Sequence, residues 1–259
     1  MKTALITGAS SGIGLELARV FAREKHRVIL VARNEAALQQ LAQELAQRYQ
    51  AEAVVLPADL GQRDAPQRIY NEVQRRGLTV DFLVNNAGFG DFGFFAETSW
   101  AKEEQMLDLN IRALTHLTKL FLPGMVQRRA GRIMQLASTA AFQPGPLMAV
   151  YYATKAYVLS FSEAIANELQ GTGVTVTALC PGPTASGFQD AAALHDSKLV
   201  KGKKLPTSAE VAEYGYRALL RGDTVAIHGT MNWLMAQSVR FSPRQMVTAL
   251  VRRMSERAH

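Results

Sequence analysis

The chain has a single cysteine, Cys180, so no internal disulfide can form. This cysteine ends the apolar run that begins at Val174 and lies directly before Pro181 and Gly182. No histidine or basic cluster adjoins it in the sequence, and a reactive thiol needs such a neighbour to lower its pKa. We therefore expect a buried packing residue at this position rather than a catalytic thiol.

Long apolar runs are also missing, since no stretch approaches the roughly 18 consecutive apolar residues of a membrane-spanning helix. The N-terminus shows no charged segment followed by an apolar segment and a small-residue cleavage site, because the strand-like run of residues 4–6 occupies it. These absences favour a cytoplasmic location. With 259 residues and no low-complexity linker, the chain predicts one domain over residues 1–259, and we expect no metal cofactor.

Acidic residues are fewer than basic ones, which gives a net charge of +7, and the C-terminal extension (residues 231–259) is the basic part. Arginines and apolar residues interleave there in an amphipathic helical pattern. The arginines are Arg240, Arg244, Arg252, Arg253 and Arg257, and the apolar residues are Trp233, Leu234, Phe241, Met246, Val247, Leu250, Val251 and Met254.

Three interpretations of this extension remain open. It forms a helix that covers the substrate or contacts a second subunit, an interfacial helix in weak contact with a membrane surface, or a solvated edge. We favour the first. Nucleic-acid binding is not expected, because the charge is modest and no surface of interleaved aromatic and basic residues is evident.

Apolar segments rich in β-branched residues alternate with longer helical segments along the chain. The predicted strands are residues 4–6, 27–31, 53–56, 80–84, 132–136 and 174–179, and the predicted helices are residues 35–49, 65–75, 100–129 and 150–170. Strands without polar alternation are typical of a parallel sheet covered by helices on both faces. Residues 190–205 carry Lys198, Lys201, Lys203 and Lys204, and we expect a mobile substrate loop there.

A glycine-rich run, Thr7-Gly-Ala-Ser-Ser-Gly-Ile-Gly14, follows the first predicted strand and opens a helical pattern. Glycines let the chain turn sharply and let backbone N–H groups approach a pyrophosphate, whose charge then faces the positive end of the helix. The spacing G-x-x-x-G-x-G differs from the G-x-G-x-x-G of the common fingerprint. The run predicts a dinucleotide site formed by Gly8, Ser10, Ser11, Gly12, Ile13 and Gly14.

Four further elements follow the glycine run: an Asn-Asn-Ala-Gly turn at residues 85–88, then Asn110, then Ser138, and then Tyr151-x-x-x-Lys155. In this order and spacing the elements resemble the short-chain dehydrogenase/reductase family over almost the whole chain. The resemblance implies an α/β Rossmann fold, a doubly wound parallel sheet of about seven strands with helices on both faces. It also implies a nicotinamide cofactor, hydride transfer between a carbonyl and an alcohol, and a homodimer or homotetramer assembled through the two long helices.

Tyr151 and Lys155 are the predicted centre of the reaction. Reduction of a ketone needs a proton donor at the substrate oxygen, and a tyrosine serves if its pKa of about 10 is lowered. The two residues are four positions apart and share one side of a helix, so the ammonium of Lys155 would stabilise the phenolate. Tyr152 is rotated about 100° away and is expected to be a packing residue.

The resemblance assigns the remaining catalytic roles. Lys155 also holds the nicotinamide ribose, Ser138 donates a hydrogen bond to the substrate oxygen, and Asn110 holds a water that links Lys155 to solvent. These four residues together would form a proton relay.

The end of the second predicted strand bears on the choice between NAD and NADP. An acidic residue there would repel a 2′-phosphate, whereas this chain has Ala32 followed by Arg33, so we expect NADP(H). Further cofactor contacts are implied at Asp59, Leu60, Asn86, Ala87, Gly88, Tyr151, Lys155, Pro181, Gly182, Thr184 and Ser186. The family commonly has a threonine at the position of Ser186 to bind the nicotinamide carboxamide, and here either Ser186 or Thr184 would serve.

The predicted substrate region is aromatic and apolar with few charges. It comprises Phe89, Phe92, Phe94, Phe95, residues 142–150 and residues 188–205. This composition predicts a hydrophobic ketone, aldehyde or secondary alcohol. The loop lysines leave open a ketoreductase of acyl thioesters, carried by a protein or by coenzyme A. A third alternative is a non-catalytic NADP-binding sensor whose basic tail docks on a membrane or a partner, although the intact catalytic set argues against it.

Overall fold

The computed structural model describes residues 1–187, 202 and 204–256. Seven strands form one parallel sheet: β1 (Thr3–Thr7), β2 (Arg27–Ala32), β3 (Ala53–Pro57), β4 (Phe82–Asn85), β5 (Gly131–Leu136), β6 (Val174–Cys180) and β7 (Val225–Ile227). The helices are α1 (Gly12–Arg23), α2 (Glu35–Tyr49), α3 (Ala65–Arg75), α4 (Trp100–Leu107), α5 (Leu114–Gln127), α6 (Ala149–Glu168), α7 (Ser208–Arg221), α8 (Thr230–Ser238) and α9 (Arg244–Ser255).

The strand order is β3-β2-β1-β4-β5-β6-β7, and every neighbouring pair is parallel. The order reverses between β1 and β4, and in an open α/β sheet ligands bind outside the carboxyl ends of the strands at such a switch point. The predicted fold, a doubly wound Rossmann sheet, is confirmed. Its crevice lies above the ends of β1 and β4.

Helices cover both faces of the sheet because its strands are apolar on both sides. All five residues of β1 are buried. On one face Leu17, Phe21 and Leu38 pack from α1 and α2, and on the other Leu117 and Phe121 pack from α5. Each such side chain contributes about 1.5–3 kcal/mol when fully buried, so the two layers hold the strand ends in fixed positions.

The predicted helices at residues 35–49 and 65–75 have these bounds in the structure. The predicted helix over residues 100–129 is wrong in one respect, because a π-helical segment, Asp108–Ala113, divides it into α4 and α5. The β4 strand begins at Phe82 and not at Val80. Helix α7 and strand β7 were not predicted, although α7 has an N-terminal capping box at Thr207 and Glu210 and a C-cap glycine, Gly222, a signature readable from sequence.

The C-terminal extension forms two short helices rather than one. A 3-10 turn, Val239–Phe241, follows α8, and Pro243 precedes α9. Among the described helices, none combines the length and the apolar character needed to cross a bilayer. Most of the predicted loop at residues 190–205 lies outside the described residues, including Lys198, Lys201 and Lys203, as do Phe188 and Arg257.

Candidate active site

The glycine run forms a tight turn between β1 and α1. Gly8 and Gly12 have φ of 67° and 56°, a region that favours glycine. A Cβ on Gly14 would lie 2.3 Å from the carbonyl oxygen of Gly8, so the helix can approach the turn only without a side chain there. Ser11 is the N-cap of α1 but its side chain does not cap the helix. The first N–H groups of α1 therefore remain for an anion such as a pyrophosphate.

Hydrogen bonds join the turn after β4 to the glycine turn. The hydroxyl of Thr7 accepts hydrogen bonds from the backbone N–H groups of Asn86 (2.9 Å) and Ala87 (3.0 Å). The side-chain amide of Asn86 donates to the carbonyl of Thr7 at 2.8 Å and lies beneath Gly8, where an added Cβ would meet it at 2.7 Å. These bonds hold the two predicted cofactor turns at the switch point of the sheet.

Arg33 lies at the carboxyl end of β2, where its side chain is exposed and lines the cavity described below. The next residue, Asn34, caps α2 by accepting a hydrogen bond from Ala37 N–H at 3.0 Å. Asp59 follows β3 and its Oδ1 accepts a hydrogen bond from Gly61 N–H at 3.0 Å. A guanidinium and a helix N-terminus therefore lie together at the place where the sequence predicts the adenosine ribose.

Tyr151 and Lys155 lie one turn apart on α6, and both are buried. Lys155 Nζ donates a hydrogen bond to the carbonyl of Leu136 at 2.7 Å and lies 5.8 Å from the centroid of the Tyr151 ring. The hydroxyl of Ser138 forms a hydrogen bond with the phenol of Tyr151 and accepts another from Ala140 N–H at 3.1 Å. The structure thus brings the three predicted reactive side chains to one place at the ends of β5 and α6.

Burial is the main cause of the pKa shifts of Tyr151 and Lys155. It raises the pKa of Tyr151 above its ordinary value, and the hydrogen bond from Ser138 only partly opposes this. The same burial lowers the pKa of Lys155 to about 8. The direction for the protein without ligands is therefore opposite to the predicted lowering of the Tyr151 pKa, because loss of solvation of the phenolate outweighs the hydrogen bond with Ser138.

Asn110 lies in the π-helical segment and its side chain has protein partners. Its amide donates hydrogen bonds to the carbonyl of Phe89 (3.0 Å) and the hydroxyl of Thr154 (3.1 Å), and its Oδ1 accepts one from Phe89 N–H (3.2 Å). A Cβ on Gly88 would lie 2.9 Å from this oxygen and 3.6 Å from Lys155 Nζ. Asn110 therefore packs directly beneath Gly88 and close to Lys155. The predicted binding of a water molecule by Asn110 stays a prediction.

One cavity of about 1290 Å³ joins these elements. Seventeen of the predicted cofactor residues line it, together with Ser138: Gly8, Ser10, Ser11, Gly12, Ile13, Arg33, Asp59, Leu60, Asn86, Ala87, Gly88, Tyr151, Lys155, Pro181, Gly182, Thr184 and Ser186. Gly14 and Asn110 lie behind its wall. The cavity is large enough for a dinucleotide and a second molecule, and the glycine turn fits the phosphates of the first.

Comparison with known proteins agrees with this geometry. The family model described as short chain dehydrogenase matches residues 2–196. The chain belongs to the short-chain dehydrogenase/reductase family.

Three proteins similar to this chain illustrate the family. A ketoacyl reductase, HetN, of Nostoc sp. is 35% identical over 181 residues, which cover 70% of this chain and 63% of that protein. The structure of a short-chain dehydrogenase from Sphingobium yanoikuyae in complex with NADPH has a TM-score of 0.83 at 30% identity, covering 93% of this chain and 94% of that chain.

A bulky-bulky ketone specific alcohol dehydrogenase from Comamonas testosteroni has a TM-score of 0.80 at 29% identity, with 93% and 92% of the two chains covered. The chain spans 63%, 60% and 58% of the length of three curated relatives that it matches.

The C-terminal helices pack against this site. Val247 and Val251 of α9 pack with Tyr151 and Tyr152 in one buried cluster. Tyr152 is a packing residue: its ring lies 6.1 Å from that of Tyr151, centroid to centroid, and its hydroxyl forms a hydrogen bond with Ser255. Helix α9 therefore covers the reactive tyrosine.

The apolar wall of the cavity differs from the predicted one. Phe89 lines it, but Phe92, Phe94 and Phe95 are not among the lining residues, and Phe94 and Phe95 are 51% and 66% exposed. Phe94 instead lies under the guanidinium of Arg252, 4.9 Å from it. The wall comes from residues that the sequence analysis did not assign individually: Met148, Tyr152, Met231, Met235, Val247, Leu250, Val251 and Met254.

Thr184 and Ser186 both remain candidates for the nicotinamide carboxamide. Thr184 is buried and its hydroxyl donates to the carbonyl of Gly182 at 2.9 Å. Ser186 lies across the cavity mouth against the glycine turn, where its Cβ would be 3.4 Å from a Cβ on Gly12. Cys180 is buried in the core, which raises the pKa of its thiol to about 12, as expected of a packing residue.

Proposed function

We propose that the chain is an NADP(H)-dependent reductase of bulky apolar ketones and aldehydes, with the reverse oxidation of secondary alcohols. The observation that carries the proposal is the single cavity that contains the glycine turn, the Ser138, Tyr151 and Lys155 side chains, and an apolar wall from α8 and α9. A cofactor and a substrate would meet at Tyr151.

The side chains of the protein supply a proton to the substrate oxygen in this reaction. A bound nicotinamide dinucleotide supplies the hydride to the carbonyl carbon. The raised pKa of Tyr151 keeps its phenol protonated, so the phenol donates a hydrogen bond and then its proton to the substrate oxygen. Ser138 donates a second hydrogen bond to the same oxygen, and the positive charge of Lys155 stabilises the phenolate that remains.

Arg33 supports the preference for NADP(H). An exposed guanidinium beside the capped start of α2 provides charge-assisted hydrogen bonds for a 2′-phosphate, and no carboxylate stands at Ala32 to repel it. The complex of the Sphingobium relative with NADPH supports the same preference.

The size and lining of the cavity support a bulky apolar substrate. Most lining side chains from α8 and α9 are methionine, valine and leucine, with Asn232 and Ser238 as the polar exceptions, and none of them carries a charge. Methionines also adapt to irregular shapes. The similarity to an alcohol dehydrogenase specific for bulky-bulky ketones points the same way.

A second candidate is the reduction of acyl thioesters. Lys102 and Lys204 line the cavity, and cationic groups at its rim would suit the phosphates of coenzyme A or a carrier protein. The similarity to a ketoacyl reductase favours this candidate as well. Lys102 is paired with Asp91 at 2.6 Å, which reduces its charge toward a ligand.

An assay of NADPH oxidation tests the proposal. The purified protein is given a diaryl ketone, a small methyl ketone and an acetoacetyl thioester in parallel, with NADH in place of NADPH as the cofactor control. We expect the highest kcat/KM for the diaryl ketone with NADPH. A higher value for the thioester would select the second candidate, and NADPH binding without oxidation by any substrate would support a sensor.

A further inference from the structure

Large apolar side chains are exposed on the C-terminal helices far more than elsewhere on the molecule. Seven of the thirteen exposed large hydrophobic residues in the described part of the chain lie between residues 231 and 250. We call them the C-terminal apolar face: Met231, Trp233, Leu234, Met235, Phe241, Met246 and Leu250. Clustered exposed apolar residues on neighbouring helices are typical of an interaction site.

The charged residues of segment 229–256 are basic with one exception. Arg240, Arg244 and Arg253 are exposed, and Glu256 is the only acidic residue between residues 229 and 256. Met246, Leu250 and Arg253 are spaced by four and three positions along α9, so they lie on one side of the helix. The arrangement is an amphipathic surface with an arginine border.

We propose that the C-terminal apolar face docks the protein on an anionic lipid bilayer. Short helices with exposed tryptophan, phenylalanine, methionine and leucine, bordered by arginines, lie in the interface plane with the apolar side chains among the lipid tails. Arginine binds lipid phosphates through paired N–H groups. The attraction of anionic headgroups for basic residues adds to the apolar burial.

Charge complementarity favours a bilayer over a second copy of the chain. A twofold symmetric contact brings the same patch of both subunits together. Such a contact through this face would bring the arginine border of one copy (Arg240, Arg244 and Arg253) toward that of the other, and the segment 229–256 contributes only one carboxylate, Glu256. A surface of anionic phosphates instead neutralises all three arginines.

The cavity opens on the same side of the protein as the C-terminal apolar face. Met231, Met235 and Leu250 are exposed at 67%, 43% and 59% and also line the cavity. The cavity mouth therefore lies within the C-terminal apolar face. A docked protein would take an apolar substrate directly from the bilayer, a consequence that rests on the proposed function.

Vesicle flotation of the full chain tests the proposal, with vesicles of phosphatidylcholine alone or mixed with phosphatidylserine. We expect binding to the mixed vesicles and about 100-fold weaker binding after the triple change Arg240→Gln, Arg244→Gln and Arg253→Gln, since each basic residue near an anionic surface strengthens binding about fivefold. The matched control changes Arg48, Arg68 and Arg217, which are exposed on other faces, to glutamine and should bind as the wild type does.

A second variant set tests the apolar part. Trp233→Ser, Phe241→Ser and Met246→Ser change residues that do not line the cavity, whereas Leu220→Ser changes an exposed leucine of α7 as control. The triple variant should lose vesicle binding yet bind NADPH like the wild type, which shows that it folds.

Two results would overturn the proposal. One is equal vesicle binding by the wild type, the variant of Arg240, Arg244 and Arg253, and the variant of Trp233, Phe241 and Met246, or no binding by any of these three proteins. The other is a dimer, seen by sedimentation at rising protein concentration, that the apolar variant alone disrupts. Turnover of a water-soluble ketone without vesicles is measured in parallel, so that a failed docking and a failed assignment of the reaction are told apart.

Discussion

Lys155 Nζ lies 5.8 Å from the centroid of the Tyr151 ring, one turn further along α6, and donates its hydrogen bond to the carbonyl of Leu136 at 2.7 Å. Both side chains are buried, and burial moves their pKa values apart, down for the lysine and up for the tyrosine. The protein alone therefore holds a charged lysine at a cost beside a protonated phenol. A bound cofactor and substrate would provide polar partners for the ammonium of the lysine.

Lys155→Met should stabilise the protein without ligands. Burial lowers the lysine pKa from 10.5 to about 8, so below pH 8 the folded state carries the full cost of a buried ammonium, about 3 kcal/mol. Between pH 8 and 10.5 the unfolded lysine binds more protons than the folded one, so wild-type stability rises with pH. The free energy of unfolding of the variant should exceed that of the wild type at pH 7.

Urea denaturation at pH 7 and pH 10 measures this difference. The gap between Lys155→Met and the wild type should shrink at the higher pH, while turnover of the variant is lost at both. A variant that is less stable than the wild type at pH 7 would show that the bond to Leu136 outweighs the cost of burial.

Arg33→Asp should reverse the cofactor preference. A carboxylate in place of the guanidinium removes charge-assisted hydrogen bonds to a 2′-phosphate, each contributing about 1.5–3 kcal/mol, and repels the phosphate as well. The KM for NADPH should rise by about 10- to 100-fold, and the KM for NADH should fall or stay unchanged. Arg48→Asp, on the last turn of the same helix α2, serves as the control. Equal loss with both cofactors would assign Arg33 to folding instead.

Gly14→Ala should weaken cofactor binding and lower stability together. Its new Cβ would lie 2.3 Å from the Gly8 carbonyl oxygen and 2.4 Å from Asn86 Nδ2, both held by the turn. Such overpacking costs about 1–3 kcal/mol. Gly124→Ala is the matched control within α5, because its Cβ meets only the end of the Arg128 side chain, and it should be neutral or stabilising. Thermal unfolding and NADPH fluorescence titration measure the two effects.

The sequence predicts those structural features that depend on residues close together in the chain. The turn at Gly8–Gly14 and the helical spacing of Tyr151 and Lys155 depend on residues within a few positions of one another, and the structure places these residues as the spacing predicts. The bounds of α2 likewise follow from a capping asparagine at its start.

Features that depend on contacts between distant segments could not be predicted. The pKa direction at Tyr151 follows from burial under Val247 and Val251, about a hundred residues further along the chain. Phe94 and Phe95 are exposed because α9 and α8, rather than the loop after β4, supply the apolar wall. The π-helical segment at Asn110 also requires the bonds to Phe89 and Thr154.

The most direct test is a single-turnover measurement of NADPH oxidation by Tyr151→Phe, with Tyr152→Phe as the control. Removal of the Tyr151 hydroxyl deletes the proton donor, so the hydride step should slow by about 10²- to 10⁴-fold while NADPH still binds. Tyr152→Phe removes only the bond to Ser255 and should keep the rate of that step. Full rate in Tyr151→Phe, or an equal loss in both variants, would contradict the assignment of Tyr151 as the proton donor.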